Sequence, residues 1–414
     1  MLSHSPPFPL IIDHNHPNHE LNAEDEEGII LALQHRDRVR RIRLLMPLPS
    51  LQKFIVAIDG KFPVLEFLSI GPLTKHDTRL TLSSTFEAPH LSHLLLDHFA
   101  SPIGSPLLTN AVSLVTLLLR WTHPCTYLHP DYFLQPLSSL PQLETLQIGF
   151  SSPIPSRDFE RQLLHVPIIT HVTLPNLRKF VYRGITAFLE ALLPCMTTPL
   201  VKMFKVHFFE QLSFSIPSLL PFMRNLKNLL FINATFLFHR RAVSVFVYPH
   251  MGSGTANFYI DIMCEHLDWQ VSSVAQIFNL LDPLFSMVVD ISLDCKEYNV
   301  SSGWHNQVDR VQWRKLLASF RNVRTLRVHD DLAAQLSHSL RLNGEPPLEL
   351  LPELKQLICP VWSVDDRTFA EFIHEREVAS HPVNLIGEKF PVGRFYYRFH
   401  SSAGVYYVDA DPIQ

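Results

Sequence analysis

The segment Leu140-Pro141-Gln142-Leu143-Glu144-Thr145-Leu146-Gln147-Ile148-Gly149-Phe150 combines a proline-led turn with a short alternating pattern. In an extended strand, Leu146 and Ile148 point to one side, whereas Thr145 and Gln147 point to the other. One strand of this kind cannot bury its apolar side alone. If the chain repeats the unit, each copy can cover its neighbour.

The same pattern, Φ-x-x-Φ-x-Φ with Φ apolar, occurs eleven times in the 414 residues. Apart from a gap after the eighth copy, the copies begin 23–35 residues apart. Most of these intervals lie in or just above the 20–29-residue period of leucine-rich repeats. The copies are Val39/Ile42/Leu44, Leu65/Leu68/Ile70, Leu91/Leu94/Leu96, Leu114/Leu117/Leu119, Leu143/Leu146/Ile148, Leu177/Phe180/Tyr182, Val201/Phe204/Val206, Leu226/Leu229/Phe231, Val288/Ile291/Leu293, Val323/Leu326/Val328 and Leu354/Leu357/Cys359.

Between several copies the apolar period changes from two to that of a helix face, as at Ile185, Phe188, Leu189 and Leu192. Strand, turn and helix in alternation, with every strand running the same way, predict an α/β fold. We expect a right-handed leucine-rich-repeat solenoid with parallel strands on one face and helices and loops on the other. The turns lack a repeated asparagine, so the repeats should be irregular.

Three segments depart from this pattern. Residues 1–23 are rich in proline and histidine and are predicted to be a flexible tail that precedes a solenoid over 24–383. Within it, residues 232–287 break the register and are predicted to be an irregular insertion or an atypical repeat. Residues 384–414 contain two aromatic runs and are predicted to form a capping hairpin or tail.

Composition excludes several classes of protein. A net charge of −4 and a pI near 6.6 argue against a nucleic-acid binder. The five cysteines are far apart and form no C-x-x-C pair, so we expect neither disulfide staples nor structural zinc. No signal peptide or membrane span is recognisable. We therefore expect an intracellular protein, cytoplasmic or nuclear, that does not bind membranes.

No motif of a known catalytic site occurs in the chain, so we expect a protein that is not an enzyme and needs no cofactor or metal. His14, His16 and His19 could hold a metal, but a solvated tail is the favoured interpretation. Five arginines between residues 36 and 43 could bind phosphate or an acidic peptide. The favoured interpretation places them on the solvent side of a first, partly uncovered strand.

The outward strand positions mix apolar residues with single charges, a combination that suggests contact with a protein client. Partial cover of this face by helices or loops stays open as an alternative. Lys179 and Lys205 should be neighbours on adjacent strands, and their like charge favours an acidic or phosphorylated segment. The candidate partner-binding residues are Thr145, Gln147, Lys179, Val181, Met203, Lys205, Asn228, Leu230 and Arg327.

Six stretches resemble the F-box-like leucine-rich-repeat proteins that mushroom-forming fungi encode in large numbers. They are Glu26-Glu-Gly-Ile-Ile-Leu-Ala-Leu33, Arg36-Asp-Arg-Val-Arg-Arg-Ile-Arg43, Leu140-Pro-Gln-Leu-Glu-Thr-Leu146, His266-Leu-Asp-Trp-Gln-Val-Ser-Ser273, Trp313-Arg-Lys-Leu-Leu-Ala-Ser-Phe-Arg-Asn-Val323 and Leu350-Leu-Pro-Glu-Leu-Lys355. The resemblance implies the substrate-binding part of an F-box ubiquitin-ligase subunit.

That family usually carries an N-terminal F-box with a Leu-Pro-x-Glu-Ile type sequence, which docks a Skp-family adaptor. No such string occurs here. We expect binding of the adaptor only if an F-box lies upstream. The alternative is a free-standing interaction scaffold or decoy that is not coupled to a ligase.

Overall fold

The structure is a computed structural model that describes residues 8–15, 21–74, 80–100, 102–122, 129–151, 167–211, 213–226, 229–250, 256–295, 310–340, 350–360 and 369–388. Its strands are β1 (Leu10–His14), β2 (Val39–Met46), β3 (Phe67–Pro72), β4 (His93–Asp97), β5 (Thr116–Thr122), β6 (Thr145–Phe150), β7 (Val172–Thr173), β8 (Lys179–Gly184), β9 (Met196–Thr197), β10 (Met203–Phe208), β11 (Asn233–His239), β12 (Ala242–Tyr248), β13 (Phe258–Met263), β14 (Asp290–Cys295), β15 (Thr325–Val328), β16 (Gln356–Pro360) and β17 (Asn384–Glu388).

The helices lie between the strands, and several begin with a proline in their first turn, where its missing N–H costs no hydrogen bond. They are α1 (Ala23–Gln34), α2 (Leu48–Ala57), α3 (Pro106–Thr109), α4 (Pro130–Leu137), α5 (Thr186–Leu192), α6 (Leu219–Arg224), α7 (Leu267–Leu280), α8 (Asp282–Phe285), α9 (Arg310–Ala318), α10 (Asp330–Leu340) and α11 (Ala370–Val378).

Within the described residues, fifteen strands form one sheet in the order β1-β2-β3-β4-β5-β6-β8-β10-β13-β12-β11-β14-β15-β16-β17. Neighbouring strands run parallel except at β12, which is antiparallel to β11 and β13. The protein is therefore an α/β protein with a large parallel sheet, an architecture consistent with a leucine-rich-repeat-like solenoid. The strand predicted from Leu146 and Ile148 is confirmed as β6.

One side of the sheet packs on the helices and forms the main core. Leu146 and Ile148 lie there with helical residues such as Phe188. Phe204 of β10 stacks between Phe180 and Phe258, with ring centroids 5.4 and 5.9 Å away. Parallel strands bring equivalent positions side by side, so each inward residue is covered by the same position of the next strand.

The prediction of a flexible tail over residues 1–23 is wrong for the described part of that segment. Leu10–His14 form β1, which pairs with β2, and Arg38 donates to the Phe8 carbonyl at 3.2 Å. As a result β2 is not an edge strand, and its arginines do not shield an open edge. Arg40 pairs with Glu66 at 2.8 Å instead, and Arg41 lies 4.3 Å from the centre of the Phe67 ring. The solenoid predicted to begin at residue 24 is thus preceded by one more strand.

Residues 232–287 contain three consecutive strands, β11 to β13, followed by α7. Only two residues connect β11 to β12, and a connection this short forces an antiparallel pair. The prediction that every strand runs the same way is therefore wrong here. A strand was also expected at Leu226, Leu229 and Phe231. These residues are buried but lie in irregular chain, and β11 begins only at Asn233.

At the other end of the sheet, β17 pairs in parallel with β16. The segment Asn384–Glu388, placed in a capping hairpin or tail from the sequence, is thus one more parallel strand. The aromatic runs at 395–399 and 405–408 lie outside the described residues. Trp313 is in the core, as its helical pattern suggests, whereas Trp269 is 47% exposed on α7.

None of the described helices is both long and apolar enough to span a membrane. The part of the chain that the structure describes contains no group of three or more His, Cys, Asp or Glu side chains able to hold a metal ion. His16 and His19 lie outside it.

Cys195, Cys264, Cys295 and Cys359 are buried thiols. Burial raises the pKa of Cys264 to about 12, which keeps this thiol protonated and unreactive.

We expect the melting temperature of the purified protein to be unchanged by a chelator or by a reductant. The physical reason is our expectation that neither metal binding nor a disulfide contributes to the free energy of folding. Differential scanning calorimetry with EDTA, with dithiothreitol and with buffer alone measures this. A clear drop in the presence of either reagent would contradict the interpretation of the histidines or of the cysteines.

Candidate recognition surface

The face of the sheet that points away from the helices is called here the outer face. Its side chains stand in columns, because parallel pairing aligns equivalent positions across the strands. From β4 to β10, the column nearest the strand starts contains His93, Thr116, Thr145, Lys179 and Met203. The middle column contains Leu95, Leu118, Gln147, Val181, Lys205 and Tyr259. The end column contains Asp97, Arg120, Gly149, Arg183, His207 and Asp261.

Six of the nine predicted partner-binding residues are brought together on three adjacent strands. Two lie on each of β6, β8 and β10, and all six are on the outer face. Lys179 lies opposite Met203, whereas Lys205 lies opposite Val181, so the two lysines are diagonal neighbours. The six residues are Thr145, Gln147, Lys179, Val181, Met203 and Lys205.

The remaining three candidates lie elsewhere. Arg327 on β15 is separated from Lys205 by β13, β12, β11 and β14, because the insertion places three extra strands between them. Its charge acts on Asp294 instead. Burial raises the pKa of Asp294, and this effect outweighs the lowering by Ser292, His329 and Arg327. Leu230 is 52% exposed but is not on a strand. Asn228 lies outside the described residues.

The middle strands carry a cluster of positive charge, which we call the cation cluster (Arg120, Lys179 and Lys205). Burial lowers the pKa of Lys179, and the charge of Arg120 lowers it further. Burial also lowers the pKa of Lys205, with Lys179 as the second cause. The Nζ atom of Lys205 lies 5.7 Å from the centre of the Tyr259 ring. The positive charges of the cluster therefore repel their neighbours, and the two lysines are partly buried.

The ends of β4 and β5 form an aromatic rim that the repeat pattern did not predict. His98 and Trp121 have φ values of 60° and 52°, in the left-handed region that bulky residues rarely adopt. Their rings stack at 6.2 Å with an angle of 9° between the planes. The guanidinium of Arg183 lies 4.2 Å from the centre of the Trp121 ring. This rim therefore borders the cation cluster with aromatic surface.

The insertion adds a polar network beside Lys205. Ser244 donates to Asp261 at 2.7 Å, and His207 lies 3.4 Å from the other oxygen of that carboxylate. Burial raises the pKa of Asp261, but the hydrogen bond and charge of His207 and the hydrogen bond of Ser244 bring it below its ordinary value. The serine donates to the carboxylate rather than to the imidazole, so this arrangement differs from a Ser-His-Asp triad, in which the serine bonds to the histidine.

Apolar residues on the outer face are more buried than the sequence suggested. Leu118 and Val181 are only 7% and 6% exposed. Over the insertion, Leu237, Phe246 and Tyr259 belong to a second apolar cluster that is separate from the main core. The Phe246 and Tyr259 rings lie 4.8 Å apart. The apolar surface that was expected to be exposed is therefore largely buried over these strands. The half-buried charged side chains are the groups of this face that a partner can reach.

Sequence reasoning missed Arg120 and Arg183, although the signal was present. Each residue directly follows the last apolar position of its repeat, so one more step of the same alternation places it outward. It also missed Tyr259 and Asp261. Their register depends on which strand β13 joins, and no local pattern specifies that pairing.

No protein-family model matches the chain. No curated protein matches it either. Among solved structures, it is similar to the leucine-rich repeat-containing protein LegL7 from Legionella pneumophila, at 12% identity over 68% of this chain and 90% of that chain, with a TM-score of 0.25. The description of the fold accordingly rests on strand order and register.

Proposed function

We propose that this protein is a non-catalytic recognition protein that holds a protein client on the outer face over β6, β8 and β10. The observation that supports this most is the cation cluster, which gathers partly buried like charges on rigid neighbouring strands. Such an arrangement costs folding free energy and contributes nothing to the core. Binding of a partner of opposite charge would offset that cost.

The family resemblance of the sequence supports a more specific proposal. In it the chain is the substrate-binding part of an F-box ubiquitin-ligase subunit, and the client is a protein to be ubiquitinated. The alternative is a free-standing scaffold or decoy that is not coupled to a ligase. Affinity purification of the tagged protein from its native cells, probed for Skp-family adaptor and cullin subunits, separates the two. Recovery of both subunits supports the ligase role, and recovery of client without them supports the scaffold.

We expect Lys179→Glu/Lys205→Glu to weaken binding of the client about tenfold or more and to slow its association, because the charge of the surface reverses. Surface plasmon resonance with a client recovered by the purification measures both effects. The matched control is Arg178→Glu/Lys202→Glu, which makes the same change in net charge at exposed residues directly preceding the same two strands. Equal affinity of both variants would move the client site away from β8 and β10.

A further inference from the structure

The arginines of β2 do not have the role that the sequence suggested for them, because β1 covers the edge of that strand. Arg41 and Arg43 alternate with the buried Ile42 and Leu44, so both point to the outer face, where they are half-buried. Arg43 makes no hydrogen bond, ion pair or ring contact with any described residue. Its guanidinium group is therefore available to a ligand.

The neighbours of Arg41 on the outer face form an apolar and aromatic row across four strands. On one side Ile11 of β1 is 67% exposed. On the other side the ring of Phe67 lies 4.3 Å from the Arg41 guanidinium and 5.9 Å from the ring of His93. The contact with Phe67 holds the guanidinium of Arg41 in this row.

The neighbours of Arg43 are polar. Asp13 of β1 and Ser69 of β3 lie beside it in the register of the sheet. Asp13 forms no ion pair with Arg43, although the two residues are on adjacent strands. The outer face therefore carries one more positive than negative charge over β1, β2 and β3, next to exposed apolar surface.

From this arrangement we infer that Arg41 and Arg43 bind an acidic segment of a protein partner, an extended segment with two carboxylates two residues apart. The inference goes beyond the proposed function and does not depend on it. Strands β3, β4, β5 and β6 separate this site on β2 from the lysine on β8.

The spacing of the two arginines favours paired carboxylates over one phosphate. Residues on the same face of a strand repeat about every 6.6 Å, and so do residues i and i+2 of an extended partner segment. One carboxylate can therefore meet each guanidinium, whose planar fork matches its two oxygens. A single phosphate shared by both arginines would have to draw Arg41 away from the Phe67 ring.

The surroundings favour a protein segment over a nucleic acid. Asp13, directly beside Arg43, would repel the next phosphate of a polyanion, and the whole chain has a net charge of −4. Ile11 offers apolar contact area beside Arg41, which a partner side chain next to the carboxylates can cover.

The test measures binding of labelled, capped peptides to the full chain by fluorescence anisotropy. The probe is neutral except for two aspartates at positions i and i+2. Its comparisons carry the aspartates at i and i+1 or at i and i+3, or one phosphoserine instead. We expect the i, i+2 peptide to bind at least about fivefold more tightly than each of these, and its affinity to fall as salt is raised. Equal affinities would overturn the inference, as would tighter binding of the phosphoserine peptide or of a short uridine oligonucleotide.

Arg43→Gln is the decisive variant, because it removes a charge that has no partner among the described residues. It should leave the melting temperature unchanged and weaken binding of the i, i+2 peptide about tenfold. Asp13→Asn should strengthen that binding about threefold, because it removes a negative charge beside the site. Unchanged binding by Arg43→Gln, or weaker binding by Asp13→Asn, would overturn the inference.

Two further variants control for net charge and for the other positive surface. Arg178→Gln/Lys202→Gln removes two exposed charges away from β2 and should bind the peptide like the native chain. Lys179→Met/Lys205→Met should also bind it like the native chain. Loss of binding in this last variant, with Arg43→Gln unaffected, would place the acidic segment on the cation cluster and overturn the assignment to β2.

Discussion

Replacement of Leu146 by alanine is expected to lower the free energy of unfolding by about 2–5 kcal/mol. Leu146 is fully buried, between Leu117 of β5 and Phe180 of β8 in the inward register. The loss combines the transfer of its methyl groups to water with the cavity left in a packed core. Urea denaturation followed by circular dichroism gives the value.

The control for this substitution is Thr145→Ala, one residue away on the outer face. Thr145 is half-buried, and its replacement should change the free energy of unfolding by no more than about 0.5 kcal/mol. Similar losses in the two variants would mean that the inward and outward positions of β6 are assigned wrongly. Because every other strand is aligned to β6 through its neighbours, that result would shift the outer face as a whole.

The second large effect is expected for Gln270→Met, at about 2–4 kcal/mol. Gln270 is fully buried on α7, and its Nε2 donates to the carbonyls of His239 at 2.6 Å and Cys264 at 2.9 Å. These carbonyls lie at the end of β11 and just after β13, so one side chain joins two strands of the insertion. Loss of the donor removes both hydrogen bonds, of which the one to the Cys264 carbonyl is buried; a buried acceptor that loses its partner costs about 1–3 kcal/mol. Removal of Oε1, which is buried without a partner among the described residues, offsets part of that loss.

Ser272→Ala, at a half-buried position of the same helix, is the control and should lie within about 0.5 kcal/mol of the native protein. Hydrogen exchange adds a second readout, because faster exchange should appear first in β11 to β13. A Gln270→Met protein as stable as the native chain would show that α7 does not hold the insertion in this way. The strand order β10-β13-β12-β11-β14 would then need revision.

The insertion also determines the chemistry beside the cation cluster. It places Tyr259 and Asp261 of β13 next to β10, where the repeat pattern predicted a strand with Asn228 and Leu230 on its outer side. The ring of Tyr259 lies against Lys205, and Asp261 engages His207. For the same reason Arg327, expected to share a surface with the lysines, is separated from Lys205 by four strands.

The sequence by itself determined the features that depend on local periodicity. Alternation at Leu146 and Ile148 is enough to assign an inward face, because neighbouring side chains of a strand must point to opposite sides. Repetition of that pattern at near-constant spacing is enough to predict parallel strands with helices between them. The outward placement of Lys179 and Lys205 follows from the same alternation. The assignment of inward and outward faces holds because it rests on fewer than ten consecutive residues of each strand.

Only the tertiary structure decided the order of strands and the contacts across them. Nearly all residues of β11 and β12 are buried, including the polar Asn233, Thr235 and Ser244, so polarity in their sequence does not mark an exposed face. Pairing of β1 with β2 and of β10 with β13 joins segments that are distant along the chain, and no local pattern specifies such pairs. Arg120 acts on Lys179 for the same reason, since β5 and β8 come close only through the intervening β6. Burial and long-range pairing select these contacts, and both are properties of the folded chain.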